Sequence, residues 1–289
     1  MIEKRLDFVA VGSFKTGTTW IYNYLQFLPE VCVPSKVKET FFFDRKYYKG
    51  IEFYFSHFPD YKQGQLMGEV APSYFHSEKA PFRIHQLNHQ CKIIVTLREP
   101  TDRLVSYYLH MLQRGDISKT TSFREAIDKK NILFNSSRYY YHLSRWLNLF
   151  SKNNVIILFY ETLKNNPKEF ASELCFQLGI EFRGIPPILN QRVNEGKVPV
   201  NYTLAKSLYQ GIRLLRSHEL HSLVNFGKNL GLQKLLFRRK YPDDNIIKTE
   251  DLNYALALIS DDIKMLEKSL GLDLSIWRDS WNRKGLTFL

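Results

Sequence analysis

The chain has little cysteine: Cys32, Cys91 and Cys175 lie far apart among 289 residues, with no C-x-x-C pair. That spacing excludes a disulfide framework and a cysteine zinc site, and it predicts buried thiols in a reducing compartment. No apolar run approaches the length of a membrane span. The opening residues Met1-Ile2-Glu3-Lys4-Arg5-Leu6-Asp7 lead directly into an apolar run and do not fit a signal peptide. Together these absences predict a soluble, cytoplasmic protein. No repeat or low-complexity segment is visible. Acidic residues are outnumbered, 29 against 41 Lys and Arg, which leaves a net charge of +12.

That surplus is concentrated. Between Leu204 and Lys240 stand Lys206, Arg213, Arg216, Lys228, Lys234, Arg238, Arg239 and Lys240 against a single acid, Glu219. Such a segment could meet an anionic substrate or a membrane surface, or it could be a solvated helix face. A nucleic-acid platform is not expected, because no alternating stacking motif accompanies the charge.

Four apolar runs read as strands: Phe8–Val11, Leu66–Val70, Lys92–Leu97 and Val155–Phe159. Helical patterns separate them at Thr18–Leu28, Lys79–Asn88, Thr101–Gln113, Ser137–Phe150 and Pro167–Leu178. Alternation of this kind predicts an α/β fold, a central and mostly parallel sheet flanked by helices in three layers. Ligands then bind beyond the carboxyl ends of the strands, so the informative loops are Gly12–Gly17, Glu69–Tyr74, Arg98–Arg103 and Tyr160–Leu163. We expect one domain over residues 1–289, with an α/β core at 1–183. A loop and basic helical segment follow at 184–248, and a C-terminal helix and tail at 249–289. The last helix, Thr249–Leu270, carries Leu252, Leu256, Ile259, Ile263 and Leu266 at helical spacing and ends at Gly271.

Two of these loops carry chemistry. Phe8-Val9-Ala10-Val11-Gly12-Ser13-Phe14-Lys15-Thr16-Gly17-Thr18-Thr19-Trp20 is a strand, a short loop and a helix start, the arrangement that cradles a phosphate on backbone N–H groups. Its glycines have Walker A spacing, yet Thr18 stands where that motif has lysine, and the lysine is inside the loop at Lys15. Lys15 supplies charge, Gly17 allows close approach, and Thr18 and Thr19 add hydroxyls where the helix dipole favours an anion. The second loop is Arg98-Glu99-Pro100-Thr101-Asp102-Arg103-Leu104-Val105-Ser106. An arginine at a strand end and a serine early in the next helix could grip another phosphate. An arginine tying down a sheet end by a salt bridge is the simpler alternative.

Ser13-Phe14-Lys15-Thr16-Gly17-Thr18-Thr19-Trp20 resembles the 5′-phosphosulfate loop of sulfotransferases, and Arg98 with Ser106 resembles their 3′-phosphate motif. The resemblance covers most of the chain. It implies a P-loop-like fold and 3′-phosphoadenosine 5′-phosphosulfate (PAPS) as sulfonyl donor, with no metal. Lys38-Glu39-Thr40-Phe41-Phe42-Phe43-Asp44 and Gly68-Glu69-Val70-Ala71-Pro72-Ser73-Tyr74-Phe75 look like the heparan-sulfate and carbohydrate branch. Asn194-Glu195-Gly196-Lys197-Val198-Pro199 and Leu266–Trp277 look like bacterial members. The implied donor-binding residues are Lys15, Thr16, Gly17, Thr18, Thr19, Trp20, Arg98, Ser106 and Lys197.

By the same resemblance Glu39 is the base that takes the acceptor proton, with His76 second, and Lys15 stabilises the leaving oxygen. A surface salt bridge with Lys36 or Lys38 is the plain alternative for Glu39. Trp20 could stack near the adenine or belong to the core. Lys197 could be a loop lysine, and Glu69 and Ser73, on a loop after a strand, could position Lys15 or the acceptor or serve only a supporting structural role. The aromatics from Phe41 to Phe55 would line or support the acceptor cleft, with plain core packing accounting for at least half of them. The implied acceptor is a hydroxyl or amine of a small molecule or glycan. A P-loop kinase is the competing enzyme reading, but no aspartate ends an apolar strand as a Walker B residue would. A non-catalytic basic membrane-surface or nucleic-acid-binding protein is the competing reading outside enzymes.

Overall fold

The structure is a computed structural model that describes residues 4–129, 131–189, 198–199, 202–217, 237–238 and 247–288. The chain divides into two compact units. The first comprises Met1–Glu99, Ser136–Val193 and Asp261–Trp277, and the second comprises Pro100–Asn135, Asn194–Ser260 and Arg278–Leu289.

The first unit is built on a five-stranded sheet of β1 (Phe8–Ala10), β2 (Val31–Cys32), β3 (Leu66–Val70), β4 (Lys92–Leu97) and β5 (Val155–Phe159), in the order β2-β3-β1-β4-β5. Every neighbouring pair is parallel. The expected α/β architecture is therefore present. Buried parallel strands need cover on both faces, and the alternation along β4 supplies it. Ile94 joins Ile156 and Leu158 in a cluster with α1 (Thr18–Phe27) and α9 (Pro167–Leu178), through Ile21, Tyr24, Leu25, Phe170, Leu174 and Leu178. Ile93, Val95 and Leu97 are equally buried outside that cluster.

After β1 the chain passes to β2 and β3 on one side and then returns to β4 on the other. β1 thus marks the point where the winding reverses, and the crevice beyond its carboxyl end is where such sheets bind ligands. Ala10 is in register with Val70 and with Ile94, so the loop after β1 is flanked by the ends of β3 and β4.

The remaining helices of the first unit are α2 (Ile51–Phe55), α3 (Ala80–Leu87), α7 (Tyr139–Leu147) and α8 (Tyr160–Asn165). Two expected loops are in fact helical. Tyr160–Leu163 begins α8 directly after β5, and burial of Leu163 fixes that first turn. Arg98–Arg103 is loop for two residues only, because Pro100 at the first helical position starts α4 (Pro100–Arg114) at once. The edge strand β2 is two residues long, too short for any periodicity to announce it.

In the second unit α4 is accompanied by α5 (Phe123–Lys129), α6 (Asn131–Asn135) and α10 (Tyr202–Ser217). Arg103 is fully buried there and donates to the Leu133 carbonyl at 3.3 Å. Lys284 pairs with Asp102 at 2.8 Å. A short antiparallel pair joins β6 (Val198–Pro199) and β7 (Phe237–Arg238). The C-terminal helices are α11 (Thr249–Leu270) and α12 (Ser275–Arg283). Leu256, Ile259, Ile263 and Leu266 on α11 are buried, as the spacing predicts. No helix among the described residues is long and apolar enough to cross a membrane.

Candidate active site

The loop between β1 and α1 is shaped by two left-handed residues. Lys15 has φ +71° and Gly17 has φ +84°. The first is uncommon for a residue with a side chain. At Gly17 glycine is required twice over: a Cβ there would lie 2.6 Å from Leu163 Cδ2 and 3.1 Å from the Tyr160 ring. The floor is equally tight, since a Cβ on Gly12 would lie 3.1 Å from the backbone N and O of Thr96. Gly17 is the N-cap of α1 and no side chain caps it. The first N–H groups of α1 therefore have neither an intrahelical acceptor nor a side-chain cap, in a place where the helix dipole favours an anion.

The loop is pinned from within. Ser13 Oγ donates to the Ser136 carbonyl at 2.9 Å, and Thr16 Oγ1 donates to the Ser13 carbonyl at 2.7 Å. Both residues are fully buried. Thr16 can therefore offer a ligand its backbone N–H but not its hydroxyl. Thr18 is buried and Thr19 half-buried at the start of α1. Trp20 belongs to the core. Its ring stacks on Tyr24 at 5.2 Å, meets Phe170 edge-on, and donates its indole N–H to the Leu189 carbonyl at 3.2 Å.

Three cations gather at this loop. Arg98, directly after β4, donates to the Lys15 carbonyl at 3.2 Å while its guanidinium lies 4.5 Å over the Tyr160 ring. Tyr139 holds the Arg98 carbonyl at 2.8 Å. Lys38 donates to Thr18 Oγ1 at 3.0 Å and stands 3.6 Å from Glu39 Oε1. Burial first, then the charges of Arg98 and Lys38, push the Lys15 ammonium down to about 8. Desolvation is the main cause and the two neighbouring cations add to it, so a bound anion would restore the charged form. In the sequence Lys38 entered as the first residue of a family motif and as a salt-bridge partner for Glu39, with no role of its own at the site. The adjacency of Lys38 to Glu39 was visible in the sequence. Its reach to Thr18, twenty residues away, was not.

Glu39 is half-buried. Burial raises its carboxyl above the usual range, and the Lys38 ammonium opposes that shift. Behind it lies a second carboxylate. Glu69, near the end of β3, is fully buried and accepts from the Thr40 N–H at 3.2 Å, the Thr40 hydroxyl at 2.9 Å and the Tyr74 hydroxyl at 2.8 Å. Thr40 Oγ1 in turn accepts from the Phe42 N–H at 3.1 Å, and the Tyr74 oxygen from the Phe43 N–H at 3.3 Å. The turn that presents Glu39 is thus tied to β3 through three backbone amides, across a left-handed Phe41 at φ +55°. Burial pushes Glu69 up to about 7 against these hydrogen bonds, and the charge of Glu39 adds to the rise.

The other sequence candidates are placed as follows. Ser106 is half-buried on α4, in the second unit. Lys197 and residues 218–236 and 239–240 of the basic segment lie outside the described residues, whereas Lys206 on α10 is exposed. His76 packs its ring on Phe14 at 5.2 Å and on His142 at 4.8 Å, and His85 packs on Phe150. Glu161, at the start of α8, accepts from the Glu99 N–H at 2.8 Å and from the Trp277 indole at 3.2 Å. Phe42, Phe43 and Tyr54 are core. A pocket of about 340 Å³ opens beside them, lined among others by Tyr47, Arg83 and Leu87, and neither Lys15 nor Glu39 lines it. Among the described residues no cluster of histidine, cysteine and carboxylate side chains could hold a metal.

The sulfotransferase domain family model matches residues 5–198. The chain belongs to that family. It is 32% identical over 201 residues to the bifunctional heparan sulfate N-deacetylase/N-sulfotransferase 4 of Mus musculus, covering 62% of this chain and 23% of the relative. It is 31% identical over 201 residues to heparan sulfate glucosamine 3-O-sulfotransferase 5 of the same species, covering 66% of this chain and 57% of the relative. The chain therefore spans about a quarter of the first relative and just over half of the second. Among solved structures, a sulfotransferase from Alicyclobacillus acidocaldarius superposes with a TM-score of 0.67 at 20% identity, over 96% of this chain and 100% of the other. That likeness extends the shared fold to nearly the whole chain.

Proposed function

We propose that the protein is a sulfotransferase that moves the sulfonyl group of PAPS to a hydroxyl or amine of a carbohydrate. The observation that carries this reading is the pairing of two unlike environments within one unit. An uncapped helix N-terminus with Lys15, Lys38 and Arg98 favours a polyanionic donor. A desolvated carboxylate, Glu39, stands next to it. The residues present fit the donor on charge and on backbone shape. The carbohydrate acceptor is supported by the two relatives, whose names place their own action on heparan sulfate.

In the proposed reaction Glu39 takes the proton of the acceptor O–H or N–H. A new bond forms from that oxygen or nitrogen to sulfur. The bond from sulfur to the bridging phosphate oxygen breaks, and its electron pair stays on that oxygen. Lys15 stabilises the charge that develops there, and the product adenosine 3′,5′-bisphosphate (PAP) leaves. Arg98 binds the 3′-phosphate. The resemblance assigns Ser106 and Lys197 to the same nucleotide, which single alanine variants at each position test.

Transfer of labelled sulfonyl from PAPS to an N-acetylheparosan or de-N-sulfated heparin acceptor tests the reading directly. Calorimetric titration should give tighter binding of PAP than of Mg-ATP. Tighter Mg-ATP binding returns the kinase reading, and PAP-insensitive binding to anionic vesicles returns the membrane-surface reading.

A further inference from the structure

We propose that Lys38 is a catalytic residue whose ammonium holds the sulfonyl oxygens while the group crosses from donor to acceptor. The inference rests on the sulfotransferase reading above and adds a residue to it. Lys38 stands between the two halves of the reaction: its Nζ donates to Thr18 Oγ1 at 3.0 Å, and Glu39 Oε1 lies 3.6 Å away. Thr18 opens the helix whose N-terminus faces the donor, and Glu39 is the base.

Lys38 and Glu39 form an ion pair, but it is not the shortest contact of the ammonium. A charge-assisted N–H···O bond closes to about 2.7–2.9 Å, and the Lys38–Glu39 contact stays at 3.6 Å. The shorter bond goes to a neutral hydroxyl. An ammonium has three donors, so beyond Thr18 it retains N–H groups for an anion. By donating to Thr18 Oγ1, Lys38 also leaves the threonine proton to point at the same anion. Lys38 is largely desolvated, which lowers its own basicity, and its charge depresses Lys15. The charges of Arg98 and Lys38 acting on Lys15 favour an anion beside them. Lys15 belongs to the bridging oxygen, where charge appears. Lys38, paired to the base side, is placed for the group that leaves that oxygen.

The transfer itself is the one written above: the acceptor proton goes to Glu39, sulfur exchanges the phosphate oxygen for the acceptor atom, and the electron pair remains on phosphate. Lys38 neither gains nor loses a proton in this sequence. Its contribution is electrostatic and is aimed at the sulfonyl oxygens.

Binding separates this role from its alternatives, because PAP lacks the sulfonyl group and PAPS carries it. Lys38→Met keeps the aliphatic stem and removes the charge. We expect calorimetric affinity for PAPS to fall about tenfold and affinity for PAP to stay within about twofold, with Lys38→Arg recovering part of the PAPS affinity. Equal affinities of wild type and Lys38→Met for both nucleotides overturn the proposal and leave Lys38 as a partner of Glu39 alone. Parallel loss of PAPS and PAP also overturns it, since Lys38 then serves the nucleotide or the fold. Glu39→Gln is the control for the parent reading. If it retains full transferase activity, the base assignment is wrong whatever Lys38 does, and if wild type binds neither nucleotide, the donor assignment is wrong.

Discussion

Glu69 accepts hydrogen bonds from both the backbone N–H and the hydroxyl of Thr40, the residue that follows Glu39 in the chain. A fully buried carboxylate therefore anchors the turn that carries the proposed base. Its raised value of about 7 has a definite sign. The carboxyl binds its proton more tightly folded than unfolded, so its stabilising contribution is complete below its unfolded value near 4.5 and is lost as pH rises through 7. Glu69→Gln imitates the protonated form. Its unfolding free energy relative to wild type should improve by about 1–3 kcal/mol between pH 5 and pH 8.5, read by urea titration. A difference independent of pH would mean that Glu69 does not titrate in this range.

Lys15 predicts a proton uptake. In the free protein its ammonium sits at about 8, held down by burial and by Arg98 and Lys38. An anionic ligand restores the charged form, so binding above pH 8 must draw a proton from solvent. PAP affinity should fall by up to about tenfold per pH unit from pH 8 to pH 9.5. Calorimetry at pH 8.5 in buffers of different ionisation enthalpy should record the uptake of up to one proton. In Lys15→Met that uptake should vanish and PAP should bind more weakly.

Gly17 is intolerant of any side chain. Alanine there would adopt an unfavourable φ of +84° and push its Cβ to 2.6 Å from Leu163 Cδ2. Gly17→Ala should destabilise the protein by about 1–3 kcal/mol and weaken PAP at least tenfold. Gly17→Ala with Leu163→Ala should recover part of the stability, because the clash is removed, but not the affinity, because the left-handed strain persists. Full recovery of affinity would show that the clash alone sets the loop.

Arg98 is held by the Lys15 carbonyl and the Tyr160 ring. If it reads the 3′-phosphate, Arg98→Ala should lower the ratio of PAP to AMP affinity by about tenfold or more. A variant that weakens PAP and AMP equally would make Arg98 a support for the loop and not a phosphate ligand.

The sequence by itself determined what depends on neighbours along the chain. Short, mostly apolar runs located β3, β4 and β5 at their actual limits, because parallel strands covered on both faces are largely apolar; β3 is the weakest of the three, since it carries Gly68 and Glu69. Gly12, Lys15 and Gly17 announced a phosphate-type loop through residue type and spacing, because left-handed backbone and close approach select glycine locally. The residues Lys38-Glu39-Thr40 were singled out through a family resemblance.

What depends on residues distant in sequence was decided only by the tertiary structure. Trp20 was open between adenine stacking and core, and packing on Tyr24 and Phe170 with a bond to Leu189 makes it core. Glu69 looked like a loop acid, and only the closure of Thr40 and Tyr74 around it makes it a buried anchor. Lys38 looked like a neighbour of Glu39 until the fold carried it to Thr18. The physical reason is common to all three. A side chain's charge, proton affinity and available donors are set by desolvation and by partners within a few ångströms, and the crevice after β1 brings together residues from positions 15, 38, 69 and 98 that no local pattern connects.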